Sequence, residues 1–468
     1  MTDSTSIAAR RFSDLHPGFE LVHAEEAAVP VSWLTVEMLA QERRPLPVVD
    51  EYLLRLANRG VNEVAAIAAV LGLDDETVRD AVAQQLSAET VDYRPDQRGG
   101  RVVVLTPAGR RAVTDLATTT PKRVEQARSF DRLLWEPTSH TSSELISSSD
   151  AKHQNRILLP SRRTYDVSTD DINARMLNYL LEQHSRGQEP SVEILTVEAI
   201  IRQPRRYLPA VLLVFSATGF SDVRLSVIID DSTSEAHDTA LNELGGAELL
   251  KIRVEPPIEE PALPSELQAL RASHSTVRGL QRRADSATSS DDATGEHTSP
   301  QEPDDSVTAR AELSSLTVRS VPVFEHREQL AAALDSATSR FLLATPAVSA
   351  SVVTDDMIHR LETMLRRRGL IAHIVYGLGH ADSHLDSAAI ARLETLAGRH
   401  DNLILIHSTE SHPNILVFDD TWVNSSFNWL SYRGTATRTY RKTEGTLVRS
   451  KEITDEKYAQ FVRKIDLS

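Results

Sequence analysis

Residues 411–434 decide the fold of the carboxyl-terminal part of this chain, and they read SHPNILVFDDTWVNSSFNWLSYRG. The apolar run Asn414–Phe418 has the length of a buried strand, and the two acids after it predict a turn. Residues 421–424 then predict a second short strand beside the first. Neighbouring strand ends can present several polar groups to one anion. That polar set is His412, Asn414, Ser426 and Asn428.

The order of these residues resembles the motif of the phospholipase D superfamily. The likeness is greatest to bacterial members with a single motif that ends Gly-Ser-Phe-Asn-Trp-Leu-Ser-x-Arg-Gly, against Ser425-Ser-Phe-Asn-Trp-Leu-Ser-Tyr-Arg-Gly434 here. It extends over about residues 320–465, which resemble the half-domain of that family. The resemblance implies an α/β layered domain and phosphodiester chemistry.

The family's mechanism implies a role for each matched position. His412 would be the nucleophile that attacks phosphorus, and Glu444 would orient it as the second catalytic residue. Asp419 would hold the motif in shape. The phosphate oxygens would be bound by Asn414, Ser426 and Asn428.

This chain departs from the family's motif at three points. Asn414 stands where the family has Lys, so a positive charge facing the phosphate is replaced by a neutral amide. Ser425 stands where the family has Gly, and the gap after Asp419 is one residue shorter. Loss of one preorganised electrostatic contact costs about 2.7–4 kcal/mol in a transition state, so the motif is degenerate and weak or lost hydrolysis is expected.

The family's chemistry uses two such motifs, and this chain offers one complete candidate. Single-motif members pair across a homodimer, which would bring two copies of His412 into one cleft. The resemblance therefore implies a homodimer.

The residues before the motif predict alternating helices and strands. Apolar residues at helical spacing predict helices over about 324–339, 357–365 and 385–396, and apolar runs predict strands over 340–345, 370–376 and 402–407. Helices that alternate with strands indicate an α/β layered domain.

Length and composition constrain the remainder of the 468-residue chain, which carries no Cys and a formal net charge of −16. A chain of this length is expected to hold about three domains. The absence of Cys excludes disulfides and thiolate metal sites. The first residues lack a signal-peptide pattern, and no apolar run approaches the length of a membrane span. We therefore expect a soluble cytoplasmic protein with no membrane segment, no metal and no cofactor.

Two stretches rich in Ser, Thr and acidic residues predict linkers, because they hold too few large apolar side chains to form a core. The sequence thus predicts a multidomain α/β protein. Its parts are a flexible amino terminus (1–19), a winged helix-turn-helix-like domain (20–130), a linker (131–152), an α+β domain of unknown role (153–275), a disordered acidic linker (276–318) and the phospholipase D-like domain (319–468).

The amino-terminal pattern resembles winged-helix regulators, with helices over 49–59, 62–71 and 74–86, a strand pair and a closing helix after Pro107. Arg94, Arg98 and Arg101 on the wing could grip DNA phosphates. The helix that would enter the major groove begins with acids, which repel phosphate, although Asp74 and Asp75 also suit helix capping. The alternative is that the wing arginines are a solvated surface and the module binds protein.

Three functions remain open from the sequence. The first is a metal-independent phosphodiesterase, a nuclease-like hydrolase that acts on DNA. The second is a catalytically silent relative, a pseudoenzyme that binds nucleic acid or a nucleotide. The third is a protein-interaction or regulatory protein on a retired enzyme fold.

Overall fold

A computed structural model describes residues 4–95, 100–115, 117–184, 192–217, 222–256, 263–285, 303–377, 385–408, 410, 414–432 and 438–465. The chain divides into two compact units. The large unit comprises Met1–Pro30, Ile146–Arg162 and Tyr207–Ser468, and the small unit comprises Val31–Leu145 and Arg163–Arg206. The described residues form a mixed α/β protein, as the sequence predicts. No described helix is both long and apolar enough to cross a lipid bilayer.

The helices in chain order are α1 (Ser4–Phe12), α2 (Val48–Asn58), α3 (Val64–Leu71), α4 (Asp75–Ser87), α5 (Pro107–Asp115), α6 (Ser148–His153), α7 (Ala174–His184), α8 (Glu235–Glu243), α9 (Gly246–Leu249), α10 (Ser265–Ala269), α11 (His274–Asp285), α12 (Pro303–Ser315), α13 (Glu325–Ser336), α14 (Asp355–Leu365), α15 (Ser387–Ala397) and α16 (Lys451–Ile465), with a short 3-10 helix at Thr169–Asp171.

The strands are β1 (Phe19–Pro45), β2 (Val91–Pro95), β3 (Arg101–Leu105), β4 (Ala117–Asp131), β5 (Glu136–Thr138), β6 (Ile157–Leu158), β7 (Val192–Arg202), β8 (Arg205–Ala217), β9 (Val223–Ile229), β10 (Ser232–Thr233), β11 (Arg253–Glu255), β12 (Arg271–Ala272), β13 (Val318–Val321), β14 (Arg340–Thr345), β15 (Ile371–Tyr376), β16 (Leu403–His407), β17 (Asn414–Phe418), β18 (Thr421–Ser425), β19 (Thr439–Arg441) and β20 (Gly445–Arg449).

In the small unit, the later part of β1 pairs with both β4 and β7 in antiparallel register. Alternate side chains of β1 are buried, because successive residues of a strand point to opposite faces. One buried row packs with α7 and the inner residues of β7 into a single core. That row of β1 is Leu34, Val36 and Met38.

The chain segment that connects β1 to β4 forms a module of α2, α3, α4, the antiparallel hairpin β2–β3, and α5. Its core joins side chains from all of these elements, including Leu53, Ile67 and Val82. Gly72 ends α3 at a φ of 67°, which glycine adopts without strain. Asp74 caps α4, since its carboxylate accepts a hydrogen bond from the Thr77 amide at 2.7 Å. The elements follow the order that the sequence predicts for this stretch.

The large unit contains the eight-stranded sheet that carries the motif, in the order β12-β13-β20-β18-β17-β14-β15-β16. Strands β14, β15 and β16 are parallel, whereas β17 runs antiparallel to β14 and β18 antiparallel to β17. Helices α13, α14 and α15 bury their apolar residues against one face. Residues of α16 pack against the other face, around Trp422 and Phe461. The predicted alternation of helices and strands is thus observed here.

The chain is more ordered between the predicted domains than low complexity suggested. Helix α1 forms within the predicted flexible amino terminus, and α6 within the predicted linker 131–152. The predicted linker 276–318 contains α12 and most of α11, while residues 286–302 lie outside the described part of the chain. The two helices are held by the ion pair of Arg283 with Asp305 and by buried Val277 and Ala309. A few well-spaced apolar residues were sufficient to anchor these helices.

The grouping of residues also differs from the predicted domain boundaries. Residues 207–275 and the carboxyl-terminal sheet belong to one compact unit, together with residues 1–30. Residues 20–45, assigned to the winged helix by sequence, form the long strand β1 instead. The physical reason is that Leu21 packs in one cluster with Val211 and Phe324, a long-range contact that sequence periodicity does not reveal.

Candidate phosphate-binding site

The polar residues of the motif lie where β17 begins and β18 ends. Asn414 is the first residue of β17, and it pairs across the hairpin with Ser425, the last residue of β18. Ser426 and Asn428 follow directly. Antiparallel pairing therefore brings the two ends together, as the sequence predicts for neighbouring strands.

Asn414 contacts both of the other predicted phosphate ligands. Its side-chain Nδ2 donates to the backbone oxygen of Ser426 at 3.2 Å and lies 3.3 Å from Oδ1 of Asn428. The shortened gap after Asp419 has therefore not moved Asn428 away from the motif. Because Asn428 is exposed and its Oδ1 accepts this bond, its own amide N–H groups remain the part that can meet a ligand.

Ser426 carries a hydroxyl that is buried and has no hydrogen-bond partner among the described residues. Most buried polar atoms in proteins are hydrogen-bonded, and a buried group without a partner costs about 1–3 kcal/mol. The hydroxyl belongs to the same turn as Asn414 and Asn428. A polar ligand at this turn would give the Ser426 hydroxyl the partner that the protein does not.

The Ser425 side chain makes a hydrogen bond with His326 on α13. Its Oγ lies 2.7 Å from Nε2 of His326, whose Nδ1 lies 3.0 Å from the carbonyl oxygen of Pro322. Burial lowers the pKa of His326 to about 4, against the opposing influence of Glu325, so the ring is neutral at neutral pH. A carbonyl only accepts, so Nδ1 carries the proton, and Ser425 donates its hydroxyl to the bare Nε2.

The same Ser425 oxygen accepts the backbone N–H of Phe427 at 3.0 Å, which fixes the start of the turn that carries Ser426 and Asn428. Ser425 lies in strand β18 and is absent from the residues with positive φ. The glycine of the family is therefore not required here for backbone conformation. Serine instead supplies two hydrogen bonds at this position.

The aromatic residues of the motif are structural. Phe427 stacks on His326 with ring centroids 4.7 Å apart, and Trp429 is fully buried in the same core. Tyr432 stacks on Phe427 at 5.5 Å and has the Arg327 guanidinium 4.6 Å from its ring centroid. These rings support the turn, so the motif itself does not offer a free aromatic face.

Glu444 directly precedes β20, whose first residue Gly445 pairs with Ser425. The Glu444 carboxylate lies 2.9 Å from the ammonium group of Lys442. That ammonium group also lies 3.0 Å from the Glu20 carboxylate. The backbone oxygen of Glu444 is 3.5 Å from the Ser425 hydroxyl. Glu444 thus lies beside Ser425 and makes an ion pair with Lys442.

Asp419 occupies the turn between β17 and β18 at a φ of 44°. Its carboxylate accepts backbone N–H groups of Thr338 at 2.9 Å and Ser339 at 2.8 Å, together with both of their hydroxyls. Burial raises the pKa of Asp419, but these hydrogen bonds outweigh it and hold the pKa below its ordinary value. Asp419 therefore ties the hairpin to the start of β14.

Two of the predicted site residues, His412 and Arg98, lie outside the described residues. The other two wing arginines are exposed: Arg94 lies on β2, and Arg101 begins β3. The hairpin brings them near one another, because Arg94 pairs with Val102, the neighbour of Arg101. Among the described residues, no cluster of three or more His, Asp or Glu side chains could hold a metal ion.

Sequence reasoning missed His326, which lies 99 positions before Ser425. Nothing in its surroundings in the sequence marks it, since it sits in the first turn of an ordinary amphipathic helix. It also missed His407, at the end of β16 on the same edge of the sheet. Both positions become meaningful only when the strand order is known.

No protein-family model matches this chain, and no curated protein matches it. Among solved structures, it is similar to TrmBL2, an archaeal chromatin protein with a novel mode of DNA binding, at 15% identity and a TM-score of 0.22. It is also similar to a phosphatidylserine synthase of Haemophilus influenzae Rd KW20, at 12% identity and a TM-score of 0.23.

These matches cover 35% and 36% of this chain, and 63% and 47% of the two solved chains respectively. The chain thus spans less than two thirds of either neighbour. TM-scores of this size describe a distant, partial likeness and establish neither a common fold nor a common function.

The role of Asp419 can be tested by Asp419→Ala. Because the carboxylate accepts several hydrogen bonds, we expect its loss to lower the free energy of unfolding by about 1.5–3 kcal/mol at pH 7. The folded-state pKa of Asp419 is lowered, so this stabilisation is present above the unfolded-state pKa and is lost as pH falls through the folded-state pKa. Urea unfolding at several pH values measures both effects.

The neighbouring Asp420→Ala serves as the control. Asp420 is exposed, and the contact found for its carboxylate among the described residues is a 3.6 Å ion pair with Arg340, so its removal should change stability by less than about 1 kcal/mol. Equal effects of the two substitutions would contradict the role given to Asp419.

Proposed function

We propose that this protein binds DNA through its phosphodiester backbone, at the turn formed by Asn414, Ser426 and Asn428, without efficient hydrolysis. The observation that carries the proposal is the buried Ser426 hydroxyl, which has no partner among the described residues. An anion at the turn would accept hydrogen bonds from this hydroxyl and from the Asn428 amide. Neutral hydroxyl and amide donors at strand ends are suited to phosphate oxygens.

The chemistry of Asn414 favours binding over catalysis. Its amide is directed at Ser426 and Asn428, so it organises the turn and does not deliver a charge. Stabilisation of the developing charge on a reacting phosphate depends on preorganised, usually charged, donors. A site with neutral donors can hold a phosphodiester while contributing little to its cleavage.

A metal-independent phosphodiesterase is the second candidate, with His412 as nucleophile and two copies of the chain in a homodimer. It is supported by Glu444, which directly precedes Gly445, the residue that pairs with Ser425. Glu444 also forms an ion pair with Lys442, whose ammonium group lies near Glu20 as well.

The module of residues 48–115 is proposed to contribute to DNA binding as a winged helix. The support is its order of helices and hairpin and the exposure of Arg94 and Arg101 on the hairpin strands. The first turn of α4 carries Asp75 and Glu76, and its cap is Asp74. Repulsion between these acids and phosphate favours contact through the hairpin and the backbone, not insertion of α4.

Ser426→Ala separates a binding role from a structural one. Removing a buried hydroxyl that has no partner should leave the free energy of unfolding unchanged or slightly raised, because no hydrogen bond within the protein is lost. A lost hydrogen bond to a charged phosphate should weaken binding of short single-stranded DNA about tenfold. Fluorescence anisotropy and urea unfolding measure the two quantities.

Ser425→Ala is the matched neighbour. It leaves His326 Nε2 buried without a donor, so it should destabilise the protein. If Ser426→Ala weakened folding as much as Ser425→Ala, or left DNA binding unchanged, the proposed phosphate site would be refuted.

We expect the affinity of the module of residues 48–115 for DNA to depend strongly on salt concentration, because of the arginines on its hairpin. If Arg94 and Arg101 contact phosphates of duplex DNA, the double substitution to Ala should reduce the slope of log affinity against log salt by about 2, since each contact contributes about 0.9. Arg79→Ala on α4, an exposed arginine next to Asp75, is the control and should leave the slope unchanged. Binding that is insensitive to salt would favour protein interaction for this module.

A further inference from the structure

The residues of the candidate site belong to a row that crosses the sheet. Asn414 pairs with Ser425, and because Ala344 pairs with Ile415, Thr345 lies next to Asn414. Thr345 in turn pairs with Tyr376, and Tyr376 pairs with His407. The row therefore runs along one edge of the sheet, where the parallel strands β14, β15 and β16 end. Ligands of α/β sheets bind beyond the carboxyl ends of strands.

All members of this row lie on one face of the sheet. Successive side chains of a strand alternate between faces, and Leu343, Tyr376, Leu416 and Val423 all contribute to the core covered by α13, α14 and α15. Thr345, two residues after Leu343, and Asn414, two before Leu416, share that face. The ring of His407 stacks on Tyr376, so it lies on the same side.

His407 is exposed but its ring is held in place. It stacks on Tyr376 with centroids 5.1 Å apart and an interplanar angle of 24°. Gly377, at a φ of 98°, lies against the ring, and a Cβ there would come within 2.7 Å of Cδ2 and 2.8 Å of Nε2 of His407. Tyr376 is buried, which raises the pKa of its phenol and keeps it neutral. The ring of His407 is thus an ordered surface at the edge of the sheet.

We propose that His407, stacked on Tyr376, is a second binding point for single-stranded nucleic acid, where a base stacks on the exposed face of the imidazole while the phosphate backbone is held at Asn414, Ser426 and Asn428. This inference rests on the proposed function. Histidine is one of the side chains on which unstacked bases pack in nucleic-acid complexes. Tyr376 covers one face of the His407 ring, so a base would stack on the other face.

The distance between His407 and the turn of Asn414, Ser426 and Asn428 sets the shortest nucleic acid that can bind at both. Three strand spacings separate β17 from β16, or about 14 Å at roughly 4.8 Å each. At about 3.4 Å per nucleotide in a stacked strand, this corresponds to about four nucleotides. A dinucleotide can occupy only one of the two points, whereas an octanucleotide can occupy both.

The experiment compares binding of a single-stranded DNA octanucleotide and a dinucleotide to the full chain by fluorescence anisotropy. Loss of one base–ring stack is worth about 1–3 kcal/mol, so His407→Ala should weaken octanucleotide binding at least about fivefold. It should leave unchanged the binding of a dinucleotide held at Asn414, Ser426 and Asn428, because that ligand is too short to reach His407 as well. His407→Phe keeps a stacking face and should retain most of the affinity. His359→Ala, an exposed histidine on α14, is the matched control and should have no effect.

The outcomes separate this inference from the proposed function. Octanucleotide binding that is weakened by Ser426→Ala but not by His407→Ala would overturn the second binding point alone. Failure of the wild type to bind either ligand would overturn both proposals. If His407→Phe were as weak as His407→Ala, base stacking would be the wrong chemistry. If the His407 variants fold poorly, the wild type can be tested with an abasic octanucleotide, which has no bases to stack on His407. It should bind at least about fivefold more weakly than the normal octanucleotide.

Discussion

The hydrogen bond between Ser425 and His326 is the interaction on which the candidate site depends. It joins the end of β18 to the first turn of α13 and is fully buried. Since the Ser425 oxygen also accepts the Phe427 N–H, the direction in which the chain leaves β18 is fixed. The positions of Ser426 and Asn428 follow from that direction. A neutral His326 is essential here, because a protonated ring could not accept the serine hydroxyl.

The described polar groups of the candidate site are mostly neutral or paired with opposite charges. Asn414 is a neutral amide turned toward its own neighbours, and Lys442 is shared between Glu444 and Glu20. A phosphodiester would therefore meet directed hydrogen bonds and little net positive charge. The chain as a whole carries a formal charge of −16, which opposes indiscriminate attraction of polyanions. Under the proposed function, recognition of a phosphodiester must come from a few local donors, one of which is the buried Ser426 hydroxyl.

Sequence reasoning predicted the parts of the fold that periodicity controls. The alternation of apolar strands and amphipathic helices between α13 and β16, the hairpin around Asp419, and the capping role of Asp74 are all observed. It failed where distant segments meet. The packing of Leu21 with Phe324, the helices α11 and α12 in a polar stretch, and the contact of His326 with Ser425 depend on three-dimensional proximity. The convergence of Asn414, Ser426 and Asn428 was predictable because a short hairpin connects them. The alignment of His407 with them required the strand order.

We propose above all that the protein holds a phosphodiester without cleaving it efficiently. The most direct measurement incubates single-stranded DNA with the wild type and with His412→Ala in the presence of EDTA, and follows binding and hydrolysis in the same samples. We expect that both proteins bind the DNA and that neither hydrolyses it at an appreciable rate. Hydrolysis by the wild type that His412→Ala abolishes would contradict the claim and establish an active phosphodiesterase despite Asn414.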